Sequence, residues 1–249
     1  GEVLDLDASA DSTNAAVTFD LWQTLVFEAD GTATSMVRRD ARSKQMVRRL
    51  SQLGAGLEIS VVRDAFNALS SEITAGHDHG FDAPYEDWIS ILVDRLAPGL
   101  AEQIDSTEIA HIGKLVDQTF LDTPPKLLDG TRELLSELRN RGLKIGLISN
   151  TGLTSPQTYE TWFARHEILE GFDFLAFSNG QSVAKPDAAI FEITLSNLGV
   201  NAKRSLHVGD NMHTDVAGAA AVGMSTVWVR GGTNSPVETT IKPNYTVDS

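Results

Sequence analysis

What constrains this chain most is an apolar run that ends on a lone carboxylate. Ala15 to Val17 and then Phe19, around a single Thr18, read as a short buried strand that delivers Asp20 to its carboxyl end. Open α/β sheets place their ligand sites at that end of the strands. Taken alone, the same run also reads as the approach to a helix cap. Three later segments favour the first reading by repeating the geometry. They are Lys144-Ile145-Gly146-Leu147-Ile148-Ser149-Asn150, the step Lys185-Pro186-Asp187, and Leu206-His207-Val208-Gly209-Asp210 with Asp215 close behind.

The sequence between these segments is of two kinds. After Asp20, Val26-Phe27 and the pair Asp30-Gly31 predict a tight flap or hairpin. From about Ser35 to Phe120 the spacing is helical. Met36 to Leu53 carries apolar residues at Val37, Ala41, Met46, Val47, Leu50 and Leu53 and stops at Gly54. Val61–Ile73, Pro84–Leu96 and Glu102–Phe120 follow the same pattern, so an all-helical insertion is expected. Pro124-Pro125 marks its end. Beyond it helices (131–141, 156–166, 186–198, 214–222) alternate with strands (145–148, 172–177, 206–208, 226–229, and a short one at 245–247). Such alternation predicts an α/β fold, a mainly parallel Rossmann-like sheet with helices on both faces. The expected organisation is a lead-in at 1–14, an α/β core at 15–33 and 122–249, and a helical segment at 34–121.

Charge narrows the function classes. The chain of 249 residues carries 34 acidic against 20 basic side chains, a formal net charge of −14. That disfavours nucleic acid or an anionic membrane as a partner. No apolar stretch approaches a membrane span, and the first fourteen residues lack the basic start and apolar core of a secretory leader. A cytoplasmic location is therefore expected. Absence of cysteine removes disulfides and thiol catalysis.

In their order, and with a helical insertion after the first, the four segments resemble the four motifs of the haloacid dehalogenase-like (HAD) hydrolase superfamily. The resemblance covers nearly the whole chain. It implies that Asp20 is a nucleophile taking up a phosphoryl group, that Ser149 and Asn150 bind that group, and that Lys185 holds nucleophile and phosphoryl oxygens in place. It also implies Mg²⁺ on Asp20, Asp210 and the backbone carbonyl of Trp22, with Asp215 behind them orienting a metal-bound water. The insertion would be a cap, and the substrate a small phosphorylated molecule. Without the resemblance, each residue has a plainer reading: a strand-end turn at Ser149-Asn150, a surface lysine before a proline-led helix, a Gly-Asp turn at 209–210.

Trp22 departs from the pattern. Phosphatases of this family carry a second Asp two residues after the nucleophile, which protonates the leaving oxygen and then activates water. Indole offers neither function near neutral pH. Losing a general acid/base costs about 10²–10⁴ in rate, or roughly 3–5 kcal/mol. Four readings follow. The substrate is an acyl or aryl phosphate whose leaving group needs no proton. Alternatively an acid comes from the insertion, where the loop Gly76-His77-Asp78-His79-Gly80 stands out. A third reading is a 2-haloacid dehalogenase-type hydrolase, since family dehalogenases also place an aromatic here but do without the metal. The fourth is a protein that binds phosphorylated ligands and barely turns them over, with Trp22 as a packing plug. The phosphonoacetaldehyde branch needs a cap lysine, and neither Lys44 nor Lys114 stands out. Arg38 and Arg42, one turn apart in the first helix, are placed to share an anion or to form a solvated face. Trp88, Trp162 and Trp228 read as core or interface residues.

Overall fold

The run leading to Asp20 forms a strand, β1 (Ala16–Phe19), buried along its whole length. The computed structural model describes residues 15–232 and 237–248, so the expected lead-in at 1–14 lies outside the described residues. After β1 come β2 (Val26–Phe27), α1 (Ala33–Gln52), α2 (Ile59–His77), α3 (Tyr85–Leu96), α4 (Leu100–Gln103) and α5 (Ser106–Asp122). The chain continues through β3 (Lys126–Leu127), α6 (Thr131–Asn140), β4 (Lys144–Ser149), α7 (Pro156–Arg165), β5 (Phe174–Phe177), α8 (Ser178–Gln181) and α9 (Ala188–Leu198). It closes with β6 (Ser205–Gly209), α10 (Gly218–Ala221), β7 (Ser225–Arg230) and β8 (Tyr245–Asp248).

Among the described residues, six strands form one parallel sheet in the order β5-β4-β1-β6-β7-β8. The order reverses at β1, which makes its carboxyl end a topological switch point. Phe19 is in register with Leu147 on one side and Val208 on the other. Asp20, Ser149 and Asp210 therefore leave the sheet at the same edge. The period of two along β4 divides the core between the faces. Ile145 and Leu147 pack with Leu135 of α6 and with Tyr159, Trp162 and Phe163 of α7. Ile148 packs with Ile190, Phe191 and Leu195 of α9. Each such side chain, fully buried, contributes about 1.5–3 kcal/mol.

Helices α1–α5 bury a separate apolar cluster, built from Met46, Leu50, Phe66, Leu69, Trp88, Leu92 and Ile112 among others. Their apolar stripes meet each other because no one of them could bury its stripe alone. The tight flap expected after Asp20 forms, with the Gln23 amide donating to the Val26 carbonyl at 2.7 Å, but not as a local hairpin. Val26 and Phe27 pair antiparallel with Leu127 and Lys126, on the chain returning from the helices. Asp30 instead caps α1, its carboxylate accepting from the Thr34 amide (3.2 Å) and hydroxyl (2.6 Å). The helix expected from Pro186 starts at Ala188, because Asp187 is its cap and accepts from the Ala189 amide at 2.8 Å. The helix expected at 214–222 opens as a wide π-type turn over Met212–Ala217 before becoming α10. No described helix is long and apolar enough to cross a membrane.

Candidate active site

β1 ends with its next amide still in the sheet: the Asp20 N–H donates to the Val208 carbonyl at 2.8 Å. That bond fixes the backbone from which the carboxylate projects. Lys185 meets it from the segment before α9. Its ammonium donates to Asp20 Oδ1 (2.7 Å), Asp215 Oδ1 (2.6 Å) and the Ile148 carbonyl (2.7 Å), and its side chain is 1% exposed. All three ammonium protons are thus placed. The Thr24 hydroxyl reaches Asp20 Oδ2 at 3.3 Å. Beneath the site a polar chain runs through the sheet. Thr18 Oγ1 lies 2.8 Å from His207 Nδ1, and His207 Nε2 lies 2.9 Å from Asp215 Oδ1. The second oxygen of Asp215 accepts from the Asn211 amide at 3.0 Å.

Oxygens of Asp20, Asp210 and Asp215 lie within 4.8 Å of one another, and all three residues are buried. Three carboxylates against one ammonium leave excess negative charge out of water. Burial pushes the Asp20 carboxyl up to about 8, against the pull of Lys185 and with Asp215 and Asp210 adding to it. Burial acts on Asp215 in the same sense, but Lys185 and His207 outweigh it and hold that carboxyl well below the usual range. Burial works against the Lys185 ammonium, yet Asp20 and Asp215 prevail and raise its pKa. A divalent cation fits this cluster, since hard cations sit about 2.0–2.6 Å from each oxygen and seek carboxylates. Two glycines allow the crowding. A Cβ at Gly209 would overlap the Asp215 carboxyl, and one at Gly232 would overlap that of Asp210. Trp228, read as a core residue, donates its indole N–H to the Asp210 carbonyl at 2.9 Å.

The remaining expected residues fall into different places. Ser149 Oγ is buried at the end of β4 with no hydrogen-bond partner. The Asn150 side chain is committed to the Lys185 backbone, donating to its carbonyl (2.9 Å) and accepting from its amide (2.8 Å). Trp22 turns its Nε1 to the Tyr159 hydroxyl at 3.1 Å and packs against the apolar cluster of β1 and α7. Burial pushes that phenol up to about 12, so Tyr159 is no acid near neutrality. His77 is buried with its Nε2 2.8 Å from Asp82 Oδ2, whereas His79 is exposed. Arg38 and Arg42 do not share a partner. Arg38 donates to Glu28 and to the Thr123 carbonyl, whereas Arg42 lies over the Phe66 ring with a buried Nε that meets no acceptor.

Sequence reasoning passed over Thr18, Thr24, His207 and Gly232. His207 stood inside a quoted segment, and a histidine between two apolar strand residues is the signal that would have singled it out. Nothing local marks Gly232, whose role is set by a neighbour in space.

A family model described as haloacid dehalogenase-like hydrolase matches residues 15–223. Glyceraldehyde 3-phosphate phosphatase of Pyrococcus abyssi is 35% identical over 41% of this chain and 42% of its own length. (S)-2-haloacid dehalogenase of a Pseudomonas species is 32% identical over 46% of this chain and 48% of its own. The chain thus spans less than half the length of each of these relatives. A solved 2-haloacid dehalogenase of Pseudomonas syringae superposes with a TM-score of 0.61 at 22% identity, covering 94% of both chains, which speaks to the fold.

Proposed function

This chain belongs to the haloacid dehalogenase-like hydrolase family, and on that premise we propose that it hydrolyses small phosphorylated metabolites through Asp20. The observation that carries the reading is the buried meeting of Lys185 with Asp20 and Asp215, and of those two with Asp210, at the carboxyl end of β1. The phosphatase among the relatives supports it. Asp20, Asp210 and the Trp22 carbonyl would hold Mg²⁺. Asp215, whose oxygens are already engaged by Lys185, His207 and Asn211, suits a place behind them. When bound, the ion neutralises charge on the phosphoryl oxygens and makes attack by a carboxylate feasible.

Asp20 attacks phosphorus, and the bond to the leaving oxygen breaks with its electron pair. Water then attacks the aspartyl phosphate at phosphorus, which frees phosphate and restores Asp20. Lys185 aims the Asp20 carboxylate and draws its pKa down against burial, and the cation completes its ionisation. The unpartnered Ser149 hydroxyl donates to a phosphoryl oxygen. Residues 34–121 act as a cap over the core of 15–33 and 122–249, excluding water. Trp22 supplies no proton, and His77 is tied to Asp82. The substrates that fit are therefore those with a good leaving group, acyl and aryl phosphates.

A panel of acyl, aryl and alkyl phosphates assayed with Mg²⁺ tests this, with Asp20→Asn as control. Acyl and aryl phosphates should turn over faster than alkyl phosphates, and turnover should vanish in the control. Equal activity of control and parent would remove the nucleophile assignment. Halide release from a 2-haloacid, unaffected by a chelator, would favour the dehalogenase reading instead. Tight Mg²⁺-dependent phosphate binding without turnover would mark a binding protein.

A further inference from the structure

The turn that follows Ser149 is held from the helical insertion as well as from the core. Thr151 donates its amide to Ser178 Oγ at 2.8 Å, and Ser178 donates its own hydroxyl to Asp82 Oδ2 at 2.6 Å. Asp82 lies in the loop between α2 and α3, fully buried. It also accepts from Trp88 Nε1 (2.7 Å) and the Ala83 amide (2.7 Å), and it faces His77 Nε2. Four donors on one carboxylate make a rigid anchor. Four residues further along the turn a second buried carboxylate of the insertion does the same. Asp117 of α5 accepts from the Ser155 amide (2.8 Å) and hydroxyl (2.7 Å). Between the two, Leu153 is buried in the insertion's own apolar cluster.

The loop carrying Asp82 also touches the other site segments. The Gly80 carbonyl accepts from the Ala184 amide, next to Lys185, at 2.9 Å. His213 Nε2 lies 2.9 Å from the Asp78 carbonyl. Gly80 sits so close to the start of α9 that a Cβ there would be 2.7 Å from Asp187 Cβ.

We infer that Asp82 is a positioning residue: seated on Ser178, it sets the conformation of the 149–155 turn, so that the turn is competent for phosphate only while the insertion is docked. The inference rests on the reading that this turn receives the phosphoryl group. The cap would then reach Thr151 through two hydrogen bonds, Thr151 to Ser178 and Ser178 to Asp82, with Asp117 fixing the far end of the turn.

The test compares the 249-residue parent, Asp82→Asn, Ser178→Ala and the double variant. The readouts are Thr151 amide hydrogen exchange by NMR, and the affinity for inorganic phosphate with Mg²⁺ present. For whichever aryl phosphate the parent turns over, KM and kcat are measured separately. Each single variant should speed Thr151 exchange and weaken phosphate binding about tenfold. The double should add little to Ser178→Ala, because both changes cut one path. A lowered Tm with Thr151 exchange and KM unchanged would make Asp82 a purely structural anchor and overturn the inference. Additive effects would also overturn it, since Asp82 would then act by another route. If the parent binds no phosphate, the proposed function fails, while the response of Thr151 exchange still decides the coupling. Should Asp82→Asn not fold, Ser178→Ala alone must speed Thr151 exchange for the inference to survive.

Discussion

On the proposed reading Trp22 stands where a proton donor to the leaving group is expected, and its indole donates instead to the Tyr159 hydroxyl. Replacing it by Asp restores a carboxyl on the same backbone. Trp22→Asp should raise alkyl-phosphate turnover at least about tenfold, a fraction of what general acid catalysis supplies. No rise in an otherwise active protein would show that the missing acid does not limit the reaction. Asp20 makes a second demand at this scale. In the metal-free protein its carboxyl is raised to about 8, chiefly by burial. A proton must leave before a cation can bind, so acid opposes the metal. Titration calorimetry should find the apparent Mg²⁺ affinity falling as pH drops below 8, by up to about tenfold per unit. An affinity flat from pH 8 to 6 would contradict a raised Asp20 carboxyl among the metal's ligands.

The elements matter here for what they bring close. The segment after β7 runs so near Asp210 that only glycine fits at 232. Gly232→Ala should push the Asp210 carboxyl aside and weaken Mg²⁺ binding more than tenfold while the sheet stays folded, as circular dichroism would show. Unchanged affinity would mean that Asp210 is not a ligand. Elements of this kind were unevenly legible in the sequence. β1, β4 and β6 could be read because each is an apolar run closed by a polar residue, and that closure also exposed Asp20, Ser149 and Asp210. The β2–β3 ribbon could not, because each strand has two residues and its partner lies beyond five helices. The Thr18–His207–Asp215 chain was hidden for a related reason. Polar residues inside a strand look like ordinary alternation until the neighbouring strand shows what they face. Asp82, between Phe81 and Ala83-Pro84, reads locally as a turn residue, and its bond to Ser178 spans parts of the chain that no periodicity links.

Across the whole molecule, a net charge of −14 works against an anionic substrate and for a divalent cation. Metal and stability should therefore be linked. Mg²⁺ at a hundred times its Kd should stabilise the fold by about 2.7 kcal/mol, and Asp210→Asn should abolish the shift in Tm. The sign for Asp20 follows from its pKa. Because the folded value lies above the unfolded one, the ionised group destabilises the metal-free fold increasingly as pH rises from about 4 towards 8. Asp20→Asn should then raise Tm in a chelator at pH 8, and a fall would contradict the charge excess assigned to the site. The most direct test of the account as a whole is chemical trapping during turnover of an aryl phosphate with Mg²⁺. After an acid quench and borohydride reduction, mass spectrometry of the peptide containing Asp20 should find homoserine at that position. Continued turnover with residue 20 unreduced, or reduction at any other residue, would contradict it.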